Sequence, residues 1–257
     1  MNPRLIPIAL ALTVALAACG SDDDSAATAA SANTTATTTE ATTAPTTVTV
    51  ASTAGTETTA DAGTASTFRI EVWADNWMSV SIDGVLVGED SVPITTERSF
   101  NSETFTFEAT YPFTVAIEAK DFKETDSGLE YIGEPNQQMG DGGLIAQITD
   151  TATGRIVAVT DSSWQALVVH RAPLNPECEQ SSDPDSECEF EISDTPEEWA
   201  SVGFDDSAWA PATEWDADRV SPKDGYDQIT WDSAATFIWG ADLDVDNTVL
   251  LRATVTG

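Results

Sequence analysis

The side chains of this 257-residue chain best suited to nucleophilic or metal chemistry are few: one histidine, His170, and three cysteines, Cys19, Cys178 and Cys188. A hydrolytic triad needs a general base beside a nucleophile. His170 is the sole histidine, and no Gly-x-Ser-x-Gly elbow accompanies it. Nor does the chain contain a His-Glu-x-x-His zinc pair or a glycine loop that would cradle phosphate ahead of a helix. Carboxylates are abundant instead, with 44 Asp and Glu against 10 Lys and Arg, for a formal net charge of −34. Any two of them resemble a glycosidase pair, so their abundance makes that pattern uninformative. The simpler reading is a solvated acidic surface on a protein that is not an enzyme. Such a charge opposes binding to nucleic acid or to an anionic membrane surface.

Aromatic residues are the other candidates. Exposed Trp and Tyr rings stack on the apolar faces of sugars, and the chain has eight Trp. Trp77 and Tyr131 lie beside Gly- or Asp-rich turns and are the chosen ligand platforms. The alternative for both is packing in the core or at a sheet edge.

The cysteines fall into two groups. Arg4 and the apolar run from Leu5 to Ala15 read as a secretory signal, far short of the roughly 18 to 20 residues that span a bilayer. The run ends in Leu16-Ala17-Ala18-Cys19, which resembles the lipobox of bacterial lipoproteins. That resemblance implies cleavage after residue 18, acylation of Cys19 and an extracytoplasmic, outward-facing protein held to the envelope by lipid alone. Cys178 and Cys188 remain, bracketing an acidic loop. Export favours a disulfide between them, worth about 2 to 3 kcal/mol in the chain-entropy model. A zinc site would lack ligands.

Three regions follow: a signal peptide over 1–18, a lipid-anchored linker over 19–66 and a folded domain over 67–257. The linker is Thr, Ala, Ser and Asp with almost no large apolar residue. It cannot offset its ordering entropy and is expected to be a disordered tether, spanning roughly 35 to 40 Å. Its Thr and Ser make it a substrate for O-glycosylation, or it serves as a plain spacer.

From residue 67 the pattern alternates with the period of half-buried strands. Phe68, Ile70 and Val72 share one face, and Trp73 falls on the other. Met78, Val80 and Ile82 precede Asp83-Gly84, a type I′ hairpin turn. Phe113 to Ala119, Leu144 to Thr149, Arg155 to Thr160 and Val249 to Val255 read as further strands. No long stretch has helical periodicity. The expectation is an all-β antiparallel sandwich of the jelly-roll kind, with a polar surface excursion from His170 to Glu198 pinned by the disulfide.

In chain order, Ala74-Asp75-Asn76-Trp77, Val80 to Val85, Gly142 to Ala146, Thr160 to Trp164, Phe204 to Trp209, Trp215 and Phe237-Ile238-Trp239 are similar to galactose-binding-like jelly-roll domains. The stretch from Lys120 through Gly143 also resembles sandwich segments found beside YHYH-type domains, although no Tyr-His-Tyr-His run is present. These resemblances imply a glycan or an envelope protein as partner. They imply that Trp164 and Trp209 plug the core or cover a sheet edge, and that Asp205, Asp206 and Ser207 form a local turn. Related sandwiches sometimes hold a structural calcium. Residues 216–227, 242–247 and Asp141 offer oxygens for one, without a defined site. The function expected is carbohydrate or envelope-component binding; the alternatives are an envelope scaffold or an accessory subunit of a secreted enzyme.

Overall fold

Alternating apolar residues become strands because one face of each must leave water. In a computed structural model, which describes residues 63–95, 101–121 and 124–257, the strands in chain order begin with β1 (Ser66–Asp75), β2 (Trp77–Ile82), β3 (Val85–Glu89), β4 (Ser102–Ala109) and β5 (Phe113–Lys120). Next come β6 (Leu129–Glu130), β7 (Gln138–Met139), β8 (Gly143–Asp150), β9 (Ile156–Val159) and β10 (Gln165–Arg171). The last are β11 (Glu191–Ile192), β12 (Ala210–Pro211), β13 (Thr213–Trp215), β14 (Phe237–Trp239) and β15 (Asp246–Val255). Two four-residue helices, α1 (Pro184–Glu187) and α2 (Ala217–Val220), lie in connections. The signal peptide, Cys19 and the tether up to residue 62 lie outside the described residues.

Two large antiparallel sheets pack as a sandwich. One runs β13-β14-β8-β1-β4, with β9 beside β8; the other runs β11-β10-β15-β5-β2-β3, with β12 beside β10. Phe68, Ile70 and Val72 of β1 face Val80, Ile117, Val249 and Leu251 of the opposite sheet in one core. Burying each such side chain contributes about 1.5 to 3 kcal/mol. At one end Phe68, Phe107, Tyr111 and Phe113 meet edge-on or stacked. Trp73, on the opposite face of β1, is also fully buried. Residues 224–237 cover it: Tyr226 and Phe237 meet its ring edge-on and its Nε1 donates to the Asp224 carbonyl. The β2–β3 turn has φ 51° at Asp83 and 83° at Gly84, the left-handed pair expected there.

Two expectations change. The segment from Gln165 to Arg171 is strand β10, placed centrally beside β15. A bulge between Val168 and His170 breaks its alternation, so that the sequence shows a strand ending at His170 but not its extent. The excursion after it is more than surface: Cys178 and Cys188 are disulfide-bonded and buried, and they pack on Leu129 in a small second core with Ile132 and Met139 at its margin.

After β3 the chain turns on Asp90. Its Oδ1 accepts from the Val92 amide and from Asn101 Nδ2, while Oδ2 is buried without a hydrogen-bond partner. Burial raises the Asp90 carboxyl above its ordinary 3.8, against the lowering effect of those two bonds. The folded state therefore holds this proton more tightly than the unfolded chain does. The associated stability is complete below pH 3.8 and is lost as pH rises through the higher folded value. Asp90→Asn is expected to flatten the pH dependence of the urea midpoint between about pH 4 and 7. An unaltered slope would show that Asp90 does not contribute.

Candidate functional site

The segment after Phe204 crosses from one sheet to the other. Asp205 Oδ1 accepts from the Ser207 amide, the local turn expected for Asp-Asp-Ser. Hydrogen bonds from Ser207 hold the Asp205 carboxyl below its usual range. The chain then forms β12 against β10, buries Ala212 and forms β13 against β14. A groove of about 360 Å³ lies along this crossing. Leu167 and Val168 of β10 and Pro211 make its apolar wall, Trp209 supplies the aromatic ring, and Arg171, Asp242 and Asp246 bring charge.

Its polar corner is well ordered. Arg171 Nε donates to Asp246 Oδ1 at 3.0 Å, and the Asp242 amide donates to Asp246 Oδ2 at 2.9 Å. The Asp246 backbone carbonyl accepts from Trp239 Nε1. Asp246 is thus a buried carboxylate with both oxygens engaged, which suits a fixed acceptor better than a nucleophile or proton donor. Arg171 spends one of its five N–H donors on Asp246, and its side chain is 43% exposed, leaving donors for a ligand. Trp209 is half-buried. Phe204 meets it edge-on at 5.7 Å and Trp199 lies 6.2 Å away, so its orientation is fixed. A flat ring beside a donor and acceptor corner suits a pyranose, whose faces are apolar and whose rim carries hydroxyls.

The residues singled out in the sequence lie elsewhere. Trp77 opens β2, is half-buried, and carries the Lys120 ammonium 4.8 Å from its ring centroid. Tyr131 follows β6 at φ 54° and is half-buried. Neither lines the Trp209 groove. Trp164 does plug the core, with its Nε1 donating to the Val159 carbonyl. Trp209 only half fills that role, because its ring faces the groove. His170 is buried in β10, and its two ring nitrogens meet Asn247 Oδ1 and the Asp126 carbonyl, each at 3.1 Å. Both nitrogens are committed to structure. The sequence signal for the groove was the Asp-Asp-Ser-x-Trp segment; Arg171 and Asp246 carried none, because 75 positions separate them.

The same end of the sandwich holds a second polar group. Asp75 ends β1, Asn76 follows it, and Asp141 precedes β8. Lys223 Nζ stands 3.8 Å from Asp75 Oδ2 and 3.9 Å from Asp141 Oδ1. Asp75 Oδ2 and both polar side-chain atoms of Asn76 are buried and accept or donate no hydrogen bond. Burial pushes the Asp75 carboxyl well up; Lys223 lowers it, and Asp141 and Glu130 raise it further. Among the described residues, no three His, Cys, Asp or Glu side chains gather into a metal cage.

Comparisons with family models, curated proteins and solved structures each give no match.

Proposed function

We propose that this chain is a non-catalytic, lipid-anchored extracytoplasmic protein whose galactose-binding-like sandwich binds a neutral carbohydrate along the Trp209 groove. The observation that carries the reading is the pairing of a held aromatic ring with the Arg171–Asp246 corner in one groove of about 360 Å³. That size accommodates one or two sugar rings. The sugar stacks on Trp209, Arg171 donates to its hydroxyls and Asp242 accepts from them. Support for the location comes from the signal-like start and Cys19 in its lipobox-like setting. The lipid anchor is the membrane contact, and the tether carries the sandwich away from it.

The test is a glycan array followed by calorimetry with the full-length protein. Trp209→Ala is expected to weaken saccharide binding at least about tenfold, roughly 1.4 kcal/mol, with Trp77→Ala and Tyr131→Ala unchanged. Loss confined to Trp77→Ala or Tyr131→Ala would move the site to those rings. Silence across all saccharides would remove the carbohydrate reading.

A second reading, an envelope scaffold that docks a protein, draws on the disulfide-stapled excursion. There Leu174, Phe190 and Ile192 are 41%, 46% and 52% exposed beside edge strand β11. Crosslinking in intact cells separates the two: a single protein adduct through Phe190 or Ile192 favours the scaffold.

A further inference from the structure

Lys223 is the cation of the polar group at the end of β1, and the chain around it fixes where its side chain begins. Val220, in the turn before it, is fully buried against Gly143, where a Cβ would come within 2.6 Å of the valine side chain. Asp224, the residue after it, accepts at its backbone carbonyl from Trp73 Nε1 of β1 at 3.1 Å. Trp73 and Asp75 are two positions apart on one strand and share a face. Held on both sides, Lys223 reaches Asp75, with Nζ 3.8 Å from Oδ2 and 3.9 Å from Asp141 Oδ1.

The two carboxyls beside that amine differ in setting. Asp75 is 1% exposed, and its burial favours the neutral acid more than Lys223 opposes it, with Asp141 and Glu130 adding to the rise. Asp141 is 26% exposed; burial raises its carboxyl too, against Lys223 and Arg219. A neutral carboxyl is open to attack at Cγ, whereas a carboxylate repels a nucleophile. A carboxylate made more basic by burial, and still in touch with solvent, suits a proton acceptor. An amine held against a neutral carboxyl that water does not reach is placed for condensation, because the fold has already paid the entropy of encounter. The product amide replaces a charge pair whose desolvation is costly, and exclusion of water protects it from hydrolysis.

We propose that Lys223 and Asp75 become joined by an isopeptide bond, Nζ to Cγ, with Asp141 as the base. The Asp141 carboxylate takes one proton from the Lys223 ammonium. The freed amine attacks Cγ of the neutral Asp75 carboxyl, and the N–C bond forms as the carbonyl pair moves onto oxygen. The carbonyl re-forms as the hydroxyl leaves with a proton from the nitrogen, as water. Asp141 then gives its proton to solvent. One ammonium and one carboxylic acid become one secondary amide, one water and one proton, without oxidant, reductant or activating group. The bond ties the end of β1 to the connection between α2 and β14. It closes a long loop, so the unfolded chain has less entropy to gain, as with a disulfide. The inference does not depend on carbohydrate binding.

Mass spectrometry of the full-length protein, incubated folded at neutral pH and then denatured and reduced, tests it. Lys223→Arg keeps the charge, and its guanidinium stays protonated and cannot form the amide. The unsubstituted protein is expected to be lighter by one water than this variant, after allowance for the substitution itself. Trypsin is expected to release a branched peptide that joins 70–98 to 220–252 and is uncut at Lys223. Lys223→Arg is expected to lower the thermal midpoint. Asp141→Asn is expected to slow the loss of water about a hundredfold, followed in samples taken over time. No difference in mass between the unsubstituted protein and Lys223→Arg overturns the proposal and leaves a plain ion pair. A branch on 124–155 in place of 70–98 overturns the choice of Asp75, and loss of ammonia in place of water does so too, since the amide would then be on Asn76. An unchanged rate in Asp141→Asn removes Asp141 as the base. These masses are read without any ligand, so the outcome is separate from the fate of the groove.

Discussion

Arg252→Met is expected to destabilise the folded state by about 3 kcal/mol and to weaken binding in the Trp209 groove. Arg252 lies on β15, its side chain is 4% exposed, and all three of its acceptors come from the segment that carries Trp209. Nε donates to Asp206 Oδ2 at 2.8 Å, Nη1 to the Trp199 carbonyl at 2.9 Å and Nη2 to the Phe204 carbonyl at 3.4 Å. The guanidinium also stands over the Phe204 ring at 5.5 Å. Methionine keeps much of the volume but leaves two carbonyls and a carboxylate without their donor. Part of the Asp206 loss is recovered by water, because that side chain is 32% exposed. Lysine keeps the charge without the planar fork and is expected to fall between. Urea unfolding gives the stability change and calorimetry the binding change. A loss below about 1 kcal/mol would mean that the Trp199–Trp209 segment stands without Arg252.

Trp239→Ala is expected to cost about 3 to 5 kcal/mol, enough to remove a large share of a domain's stability. The ring is fully buried in β14, lies on Gly142 with no room for a Cβ there, and donates through Nε1 to the Asp246 carbonyl. Alanine leaves a cavity between the β8 turn and the start of β15 and an unpaired carbonyl. Trp239→Phe separates the two effects in part: it keeps most of the ring contact, loses the donor and leaves a smaller cavity than alanine does, for about 1 to 3 kcal/mol. Thermal melts of both variants check this. Equal costs would assign the whole effect to the hydrogen bond and remove the cavity argument. Asp246 anchors the polar corner of the groove, so the Phe variant is also expected to weaken ligand binding while remaining folded.

Much of the fold follows from residues in plain view. The alternation of Phe68, Ile70 and Val72, of Met78, Val80 and Ile82, and of Phe113 to Ala119 placed β1, β2 and β5 with their buried faces correctly assigned. Asp83-Gly84 specified its own turn, because few other pairs accept two positive φ values. The disulfide followed from the spare pair of cysteines in a chain read as exported. Of β10 only the end, at His170, was read as strand, because its bulge interrupts the period of two on which strand reading rests. The short strands β11 to β14, of two or three residues, are too brief to show any period.

The groove is a different kind of object. Local pattern is enough to decide which residues leave water, since burial on a strand depends on neighbours two positions away. It is not enough to decide what meets across the sandwich. Trp209 was legible as part of a turn-and-aromatic motif, yet its exposure depends on Arg252, 43 positions later, pinning the segment before it; Arg171 and Asp246 meet only because β10 and β15 pair. Asp75, Asp141 and Lys223 converge from β1, the β8 turn and the connection after α2, three places that no spacing rule relates. Side-chain period is a property of one strand, whereas a site is a property of strand order, and strand order is settled by long-range pairing alone.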